Sequence, residues 1–328
     1  MIAITGATGL LGNYICRKLA ETEQKLICLR QTTSNVAGLS DINHKIIWRE
    51  ANVLDTGSLH ESLSDADTLI HTAALVSFNP RKAKTIFKVN VEGTQNVVNV
   101  CLDLGIKKLI HISSIAALGR QGNEQVITED SKWVDSTLES DYAESKYLSE
   151  LEVYRGQEEG LHVAMVNPSV ILAPGDWSRS SAQLFRYVWQ QKPFYTDGLI
   201  NFVDVRDVAE MVRVLTYGNF NGERFIASAG SIALIHLFEQ IASRFNRTPP
   251  YIKVAPSLTA IVAALEAVRS ALLQREPLIT RQTARLAKEK FHYDNKKTTT
   301  QLGIRFRSLE ETLDWCCQYF LQHNTTNK

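Results

Sequence analysis

Two groups of residues in this chain have the types and spacing to do chemistry. The first is Asp141-Tyr142-Ala143-Glu144-Ser145-Lys146. Tyr142 and Lys146 stand four apart, so on a helix they share one face, about a turn from each other. A free phenol titrates near ~10, too high for efficient proton exchange at neutrality, and an adjacent ammonium favours its ionised form. In isolation such a pair is an ordinary surface feature. Here it opens a helix that follows Lys108-Leu109-Ile110-His111-Ile112-Ser113-Ser114, an apolar strand ending in two adjacent hydroxyls. Open α/β sheets place ligands at that end of their strands, and because alternate strand residues face opposite ways, a slip of one residue exchanges Ser113 for Ser114.

The second group is Thr5-Gly6-Ala7-Thr8-Gly9-Leu10-Leu11-Gly12. It follows the short apolar strand Ile2-Ala3-Ile4 and precedes Asn13–Ala20, whose apolar residues recur at helical spacing. Strand, glycine turn and helix form the context in which such a motif cradles a nucleotide phosphate. Gly6 permits the tight turn, Gly9 lets backbone N–H groups approach a pyrophosphate, and Gly12 lets the helix pack close on the strand. The helix N-terminus adds partial positive charge.

The elements that must position these groups alternate along the first half of the chain. Further strands are expected at Lys25–Arg30, Ile46–Trp48, Asp67–Ala74 and His162–Asn167, with helices at Ser58–Leu63, Pro80–Leu104 and from Asp141. That alternation specifies a doubly wound parallel sheet of α/β class. Arg30 closes the second strand, where such folds meet the adenosine ribose; a guanidinium followed by Gln31-Thr32-Thr33-Ser34 suits a 2′-phosphate. His71, at a strand end without a visible partner, reads as structural rather than catalytic. Asp207 reads as an acid at a helix N-terminus.

Taken in order, these motifs resemble the extended short-chain dehydrogenases/reductases of the NAD-dependent epimerase/dehydratase superfamily. Arg30 and Asn167-Pro168-Ser169-Val170 carry a narrower likeness to the dihydroflavonol-4-reductase-like group. The resemblance spans most of residues 1–230. It implies a Rossmann-type NADP-binding domain over 1–170, with a return segment near 200–217. A smaller, mostly helical substrate lobe would comprise 171–199 and 218–322, before a polar tail, 323–328. It makes Ser114 the hydroxyl that holds a carbonyl oxygen, Tyr142 the acid/base and Lys146 its partner on the nicotinamide ribose. Asn90, in Asn90-Val91-Glu92-Gly93-Thr94, would help hold that lysine through water. The cofactor would touch Gly6, Thr8, Gly9, Leu10, Leu11 and Gly12 with its pyrophosphate. Arg30 would meet its 2′-phosphate, and Asn52 and Val53 its adenine; Asn52 stands where the family usually has Asp. Thr72, Ala73, Ala74 and Ile112 would lie against it, with Pro168, Ser169 and Val170 at the nicotinamide.

The implied reaction is NADP(H)-dependent reduction of a ketone or aldehyde, or the reverse alcohol oxidation, with NADP(H) expected ahead of NAD(H). One alternative is a nucleotide-sugar epimerase or dehydratase with tightly bound NAD. Thr196-Asp197-Gly198-Leu199-Ile200-Asn201 lacks the basic residue such enzymes tend to place there for a substrate diphosphate. Another is a non-enzymatic, cofactor-sensing regulator; such proteins commonly lose the tyrosine or lysine, and both are present. The aromatic run from Trp177 to Tyr195 could wall a pocket for a bulky, partly apolar carbonyl compound, with Trp177 and Tyr187 as its contacts beside Ser114 and Tyr142. Family dimers pair the helices represented by Pro80–Leu104 and Asp141–Gly156, so a homodimer is expected.

Composition agrees with a protein of this kind. The 328 residues are 44% hydrophobic and 22% charged, with a net charge of +1, which offers no electrostatic case for nucleic acid or an anionic membrane. The five cysteines lack metal-ligand spacing and read as reduced thiols, and no metal is expected. Leu258–Leu273, the most apolar later stretch, is interrupted by Glu266 and Arg269 and does not read as a span. With a strand from Ile2 no leader is expected, and the expected setting is the cytoplasm.

Overall fold

The computed structural model describes residues 1–22, 24–120, 126–136, 139–177, 180–254 and 291–324. The chain begins with β1 (Ile2–Thr5), α1 (Leu10–Leu19), β2 (Leu26–Arg30), β3 (Ile46–Glu50), α2 (Thr56–Leu63) and β4 (Thr68–His71). It continues through α3 (Ala83–Phe87), α4 (Gly93–Asp103), β5 (Lys108–Ile112), β6 (Val126–Ile127), α5 (Asp141–Glu158) and β7 (His162–Pro168).

Seven parallel strands form one sheet in the order β11-β7-β5-β4-β1-β2-β3, where β11 is Glu223–Ala227. The order reverses between β1 and β4, the place where such sheets open a ligand crevice at the carboxyl ends of their strands. Alternation along the strands feeds two cores. Ile4, Cys28, Ile70 and Ile110 pack under α1 and a later helix, whereas Ala3, Ile27, Leu69 and Leu109 pack under α2, α4 and α5. The Rossmann-type sheet expected from the alternation is therefore present.

The second lobe begins where β7 ends. Its strands are β8 (Val170–Leu172), β9 (Phe194–Tyr195), β10 (Leu199–Asp204), β12 (Gly230–Ala233), β13 (Ile252–Lys253) and β14 (His292–Tyr293). The helices after β7 are α6 (Ala182–Trp189), α7 (Val205–Tyr217), α8 (Leu234–Phe245), α9 (Lys296–Gln301) and α10 (Leu309–Asn324), of which α6, α8 and α10 build the second lobe. β12, β10 and β8 form a small sheet, and a third core gathers Phe185, Phe238, Phe245 and Phe320. The helical reading of Ile232–Phe320 is met at α8, α9 and α10; the stretch 255–290, with Pro256 and Leu258–Leu273, lies outside the described residues.

Two expectations are corrected. The return segment near 200–217 splits: β10 stays in the small sheet, and only α7 packs back on α1. β11, expected in the substrate lobe, is the edge strand of the large sheet beside β7. The long helix expected over Pro80–Leu104 is present and runs without a break through α3 and α4, with a wide π-type turn at Lys88–Glu92 inside it. Such turns add a residue to the helical circuit and turn a side chain inward; here the residue inside the turn is the buried Asn90.

Candidate active site

The glycine turn is built for close approach. Gly6 has φ +67°, a left-handed conformation that suits glycine, and a Cβ there would lie 2.6 Å from Thr72 Oγ1 and 2.8 Å from Ala73 N. A Cβ on Gly12 would lie 2.2 Å from Gly6 O. Gly9 caps α1 without a side-chain bond, and the first turn of α1 carries no acidic residue, so its amides face a crevice that favours an anion. Leu10, Leu11 and the partly buried Thr8 follow the same backbone. These features fit a dinucleotide pyrophosphate.

The segment after β4 is tied to this turn. Thr72 Oγ1 donates to Thr5 O (2.6 Å) and Ala73 N to Thr5 Oγ1 (3.2 Å), with Ala74 next along the chain. Thr94 Oγ1 donates to Asn90 O (2.6 Å) and so accepts from His71 Nε2–H (3.1 Å), which leaves Nδ1 of the neutral ring to accept from the Thr5 hydroxyl (2.8 Å). Both ring nitrogens of His71 are used, and burial pushes its pKa down to about 3. His71 is a neutral structural bridge, as its strand-end position suggested.

Ser113 and Ser114 part company at the end of β5. Ser113 is buried, its N–H donating to Val166 O, and its hydroxyl finds no partner among the described residues. Ser114 caps the following turn by accepting from Ala116 N (3.1 Å), and its hydroxyl stands close enough to the Tyr142 phenol to lower that phenol's pKa. α5 presents that phenol in its first turn. Its N-cap Ser140 accepts from Ala143 N, and Asp141 and Glu144 suit the positive helix end. The Phe78 ring flanks Tyr142 at 5.8 Å.

Burial raises the Tyr142 pKa and the Ser114 hydroxyl opposes it. The lowering expected from Lys146 is thus not produced by the protein's own groups. The reason lies in where the ammonium goes. Lys146 is 2% exposed, donates to Ile112 O (2.8 Å) and lies 3.5 Å from His111 Nε2. Burial brings its pKa down to about 8, against the pull of Glu150. His111, held neutral by burial and the lysine charge, leaves Nδ1 unpartnered among the described residues.

Asn90 reaches this helix directly through Ser145. Its Nδ2 donates to Ser145 Oγ (2.9 Å) and Leu75 O (3.0 Å), and its Oδ1 accepts from Leu75 N (2.7 Å). It clamps the segment after β4 to the residue preceding Lys146.

A second network carries residues that pattern reading missed. Glu150, one turn beyond Lys146 and 1% exposed, accepts from Asn167 Nδ2 (2.6 Å) and Arg224 Nη1 (2.9 Å). Asn167 Nδ2 also donates to Ser114 O (3.0 Å), so one carboxylate steadies the serine backbone and acts on the lysine's charge. The i, i+4 spacing of Lys146 and Glu150 was a visible signal; Arg224, from an edge strand, was not.

The remaining expected residues scatter. Arg30 ends β2 in register with Glu50 of β3 and donates to it at 2.8 Å. Asn52 is exposed, its Oδ1 accepting from Leu54 N, and Val53 sits where a Cβ on Gly93 would lie 2.8 Å from its side chain. Pro168 closes β7, Ser169 N donates to Ala227 O, and Val170 opens β8. Trp177 packs against Phe320 at 4.3 Å, and Tyr187 stacks on Phe238 at 5.5 Å while donating to Phe194 O. Both contribute to the second lobe's core. Asp207 lies in the first turn of α7, yet the cap is Asp204; buried Asp207 instead binds Arg307. Among the described residues no group of three or more His, Cys, Asp or Glu could hold a metal ion, and no helix is long and apolar enough to cross a membrane.

This arrangement can donate a proton from Tyr142 to an oxygen held by Ser114, beside a cradle for a dinucleotide. Comparison with known proteins bears on the family and the fold. A model of the NAD dependent epimerase/dehydratase family matches residues 2–225. A "Putative dihydroflavonol 4-reductase" of Synechocystis sp. is 26% identical over 327 residues, covering 98% of this chain and 94% of that protein. The sterol demethylase protein B of Methylococcus capsulatus is 26% identical and covers 92% of each chain. The crystal structure of gox2253 matches with a TM-score of 0.85 at 28% identity, covering 99% of this chain and 98% of that one.

Proposed function

Because the chain belongs to the NAD dependent epimerase/dehydratase family, whose members use NAD(P) for oxidoreduction, we propose that it is an NADP(H)-dependent carbonyl reductase, or the reverse alcohol dehydrogenase. The observation that carries this reading is the Ser114–Tyr142 hydroxyl pair, one helical turn from the buried Lys146.

NADPH, when bound, supplies the hydride for the substrate carbonyl carbon. The glycine turn and the open end of α1 would hold its pyrophosphate, Arg30 its 2′-phosphate and Lys146 its nicotinamide ribose. Ser114 orients the carbonyl oxygen by donating to it. Tyr142 gives that oxygen its proton as negative charge develops, and the Ser114 hydroxyl, which lowers the phenol's pKa, favours the phenolate left behind. The Ile112 carbonyl and His111 hold the Lys146 ammonium in place. Asn90, through Ser145 and Leu75, keeps α5 seated against the segment that would cover the cofactor.

Tyr142→Phe removes the proton donor and keeps the ring. Carbonyl reduction followed by NADPH oxidation should fall by about 10²–10⁴-fold, while NADPH affinity stays within a small factor. Unchanged turnover would overturn the mechanism. A screen of ketones and aldehydes with NADPH and NADH defines the substrate. Protein that purifies with tightly held NAD and fails to oxidise NADPH would indicate the epimerase or dehydratase chemistry found in the same family.

A further inference from the structure

We propose that Glu50 sets the cofactor choice of this protein by competing with the adenosine 2′-phosphate of NADPH for Arg30. The proposal rests on the NADP(H) reading above and adds a specificity-determining residue to it.

β2 and β3 end side by side, with Arg30 opposite Glu50 in a parallel pair. Register partners on neighbouring strands point to the same face. Ala51 N donates to Arg30 O (3.0 Å), which locks the two strand ends together. Arg30 Nη2 reaches Glu50 Oε1 at 2.8 Å, and Thr32 Oγ1 donates to Glu50 Oε2 at 3.2 Å. Both oxygens of one carboxylate thus engage two groups suited to a 2′-phosphate. Arg49, the preceding residue, takes the alternate direction, donating to Ser62 O and Asp65. The Arg30 and Glu50 side chains are 28% and 52% exposed, so each can exchange its partner for a ligand. Two residues beyond Glu50 stands Asn52, at the start of the segment assigned to the adenine.

The electrostatics follow. A 2′-phosphate must take Arg30 from Glu50 and then lie beside the carboxylate it displaced. A ribose 2′-hydroxyl meets no such cost, because Glu50 can accept its hydrogen bond. Arg30 therefore favours NADPH while Glu50 erodes that preference and keeps NADH usable. A half-exposed ion pair is worth up to ~1 kcal/mol, so Glu50 should change the NADPH:NADH affinity ratio by about threefold to tenfold.

The test is equilibrium binding of NADPH and of NADH, followed by cofactor fluorescence, to the full chain and to Glu50→Gln, Arg30→Gln and the double variant. Glu50→Gln should tighten NADPH by about threefold to tenfold and leave NADH unchanged or up to about threefold weaker. Arg30→Gln should weaken NADPH selectively. In the double variant the Glu50 substitution should no longer tighten NADPH. If Glu50→Gln moves both cofactors alike, or neither, while Arg30→Gln still weakens NADPH, Glu50 has no part in the choice and the NADP(H) reading stands. If it still tightens NADPH in the double variant, general repulsion replaces competition for Arg30. If Arg30→Gln leaves NADPH binding intact, both readings fall.

Discussion

The molecule uses cation–carboxylate pairs in two settings, and the contrast is instructive. Beneath Ser114 and Tyr142, Glu150 is 1% exposed and is held by Asn167 and by Arg224, which also binds Glu129 O and Ser131 O. At the rim of the sheet, Arg30 and Glu50 form a similar pair at 28% and 52% exposure. The buried assembly has no alternative partners: removing one member strands a charge in a medium that cannot solvate it. The rim pair is surrounded by water and can be exchanged at little cost. Burial makes the first a fixture of geometry and field; exposure makes the second a point of selection.

Arg224→Met tests the buried half most severely. It should destabilise the fold by about 3–5 kcal/mol, read as a lower midpoint in urea. A change within about 0.5 kcal/mol would show that Asn167 alone suffices for Glu150. Lys146→Met should remove turnover but raise thermal stability at neutral pH, because the buried ammonium is unfavourable there. The sign with pH is fixed by linkage. The folded lysine titrates at about 8 and the unfolded one at its ordinary 10.5. Between these values the unfolded chain holds the extra proton, so wild-type stability should rise with pH across that window. The advantage of Lys146→Met should shrink over the same range in parallel melting curves. The rim gives the smallest effect: Arg30→Gln and Glu50→Gln should each shift stability by no more than about 1 kcal/mol, while changing cofactor affinity. A large loss of stability from either would erase the contrast.

Much of the site was legible because its parts are local. Tyr142 and Lys146 share a helix face through i, i+4 spacing, and the glycine turn lies between a strand and the helix it starts. Legibility failed where a partner came from elsewhere. The direct partners of Asn90, which sits in the π-type turn at Lys88–Glu92, are Leu75 and Ser145, and its spacing from them along the chain gave no sign of either. Trp177 and Tyr187 read as pocket residues; aromatic spacing on one segment does not show the partly buried contacts they make with Phe320 and Phe238, far along the chain.

The sequence by itself determined the strand–turn–helix cradle, the parallel α/β class and the shared helix face of Tyr142 and Lys146. These depend on short-range geometry: backbone dihedrals at glycine, helical periodicity and strand alternation. Only the tertiary structure decided that Ser114 rather than Ser113 meets Tyr142, that Arg224 reaches Glu150, and that Glu50 stands against Arg30. Each is a meeting of residues from separate segments, governed by which strands lie side by side and by the need of buried polar groups for a partner.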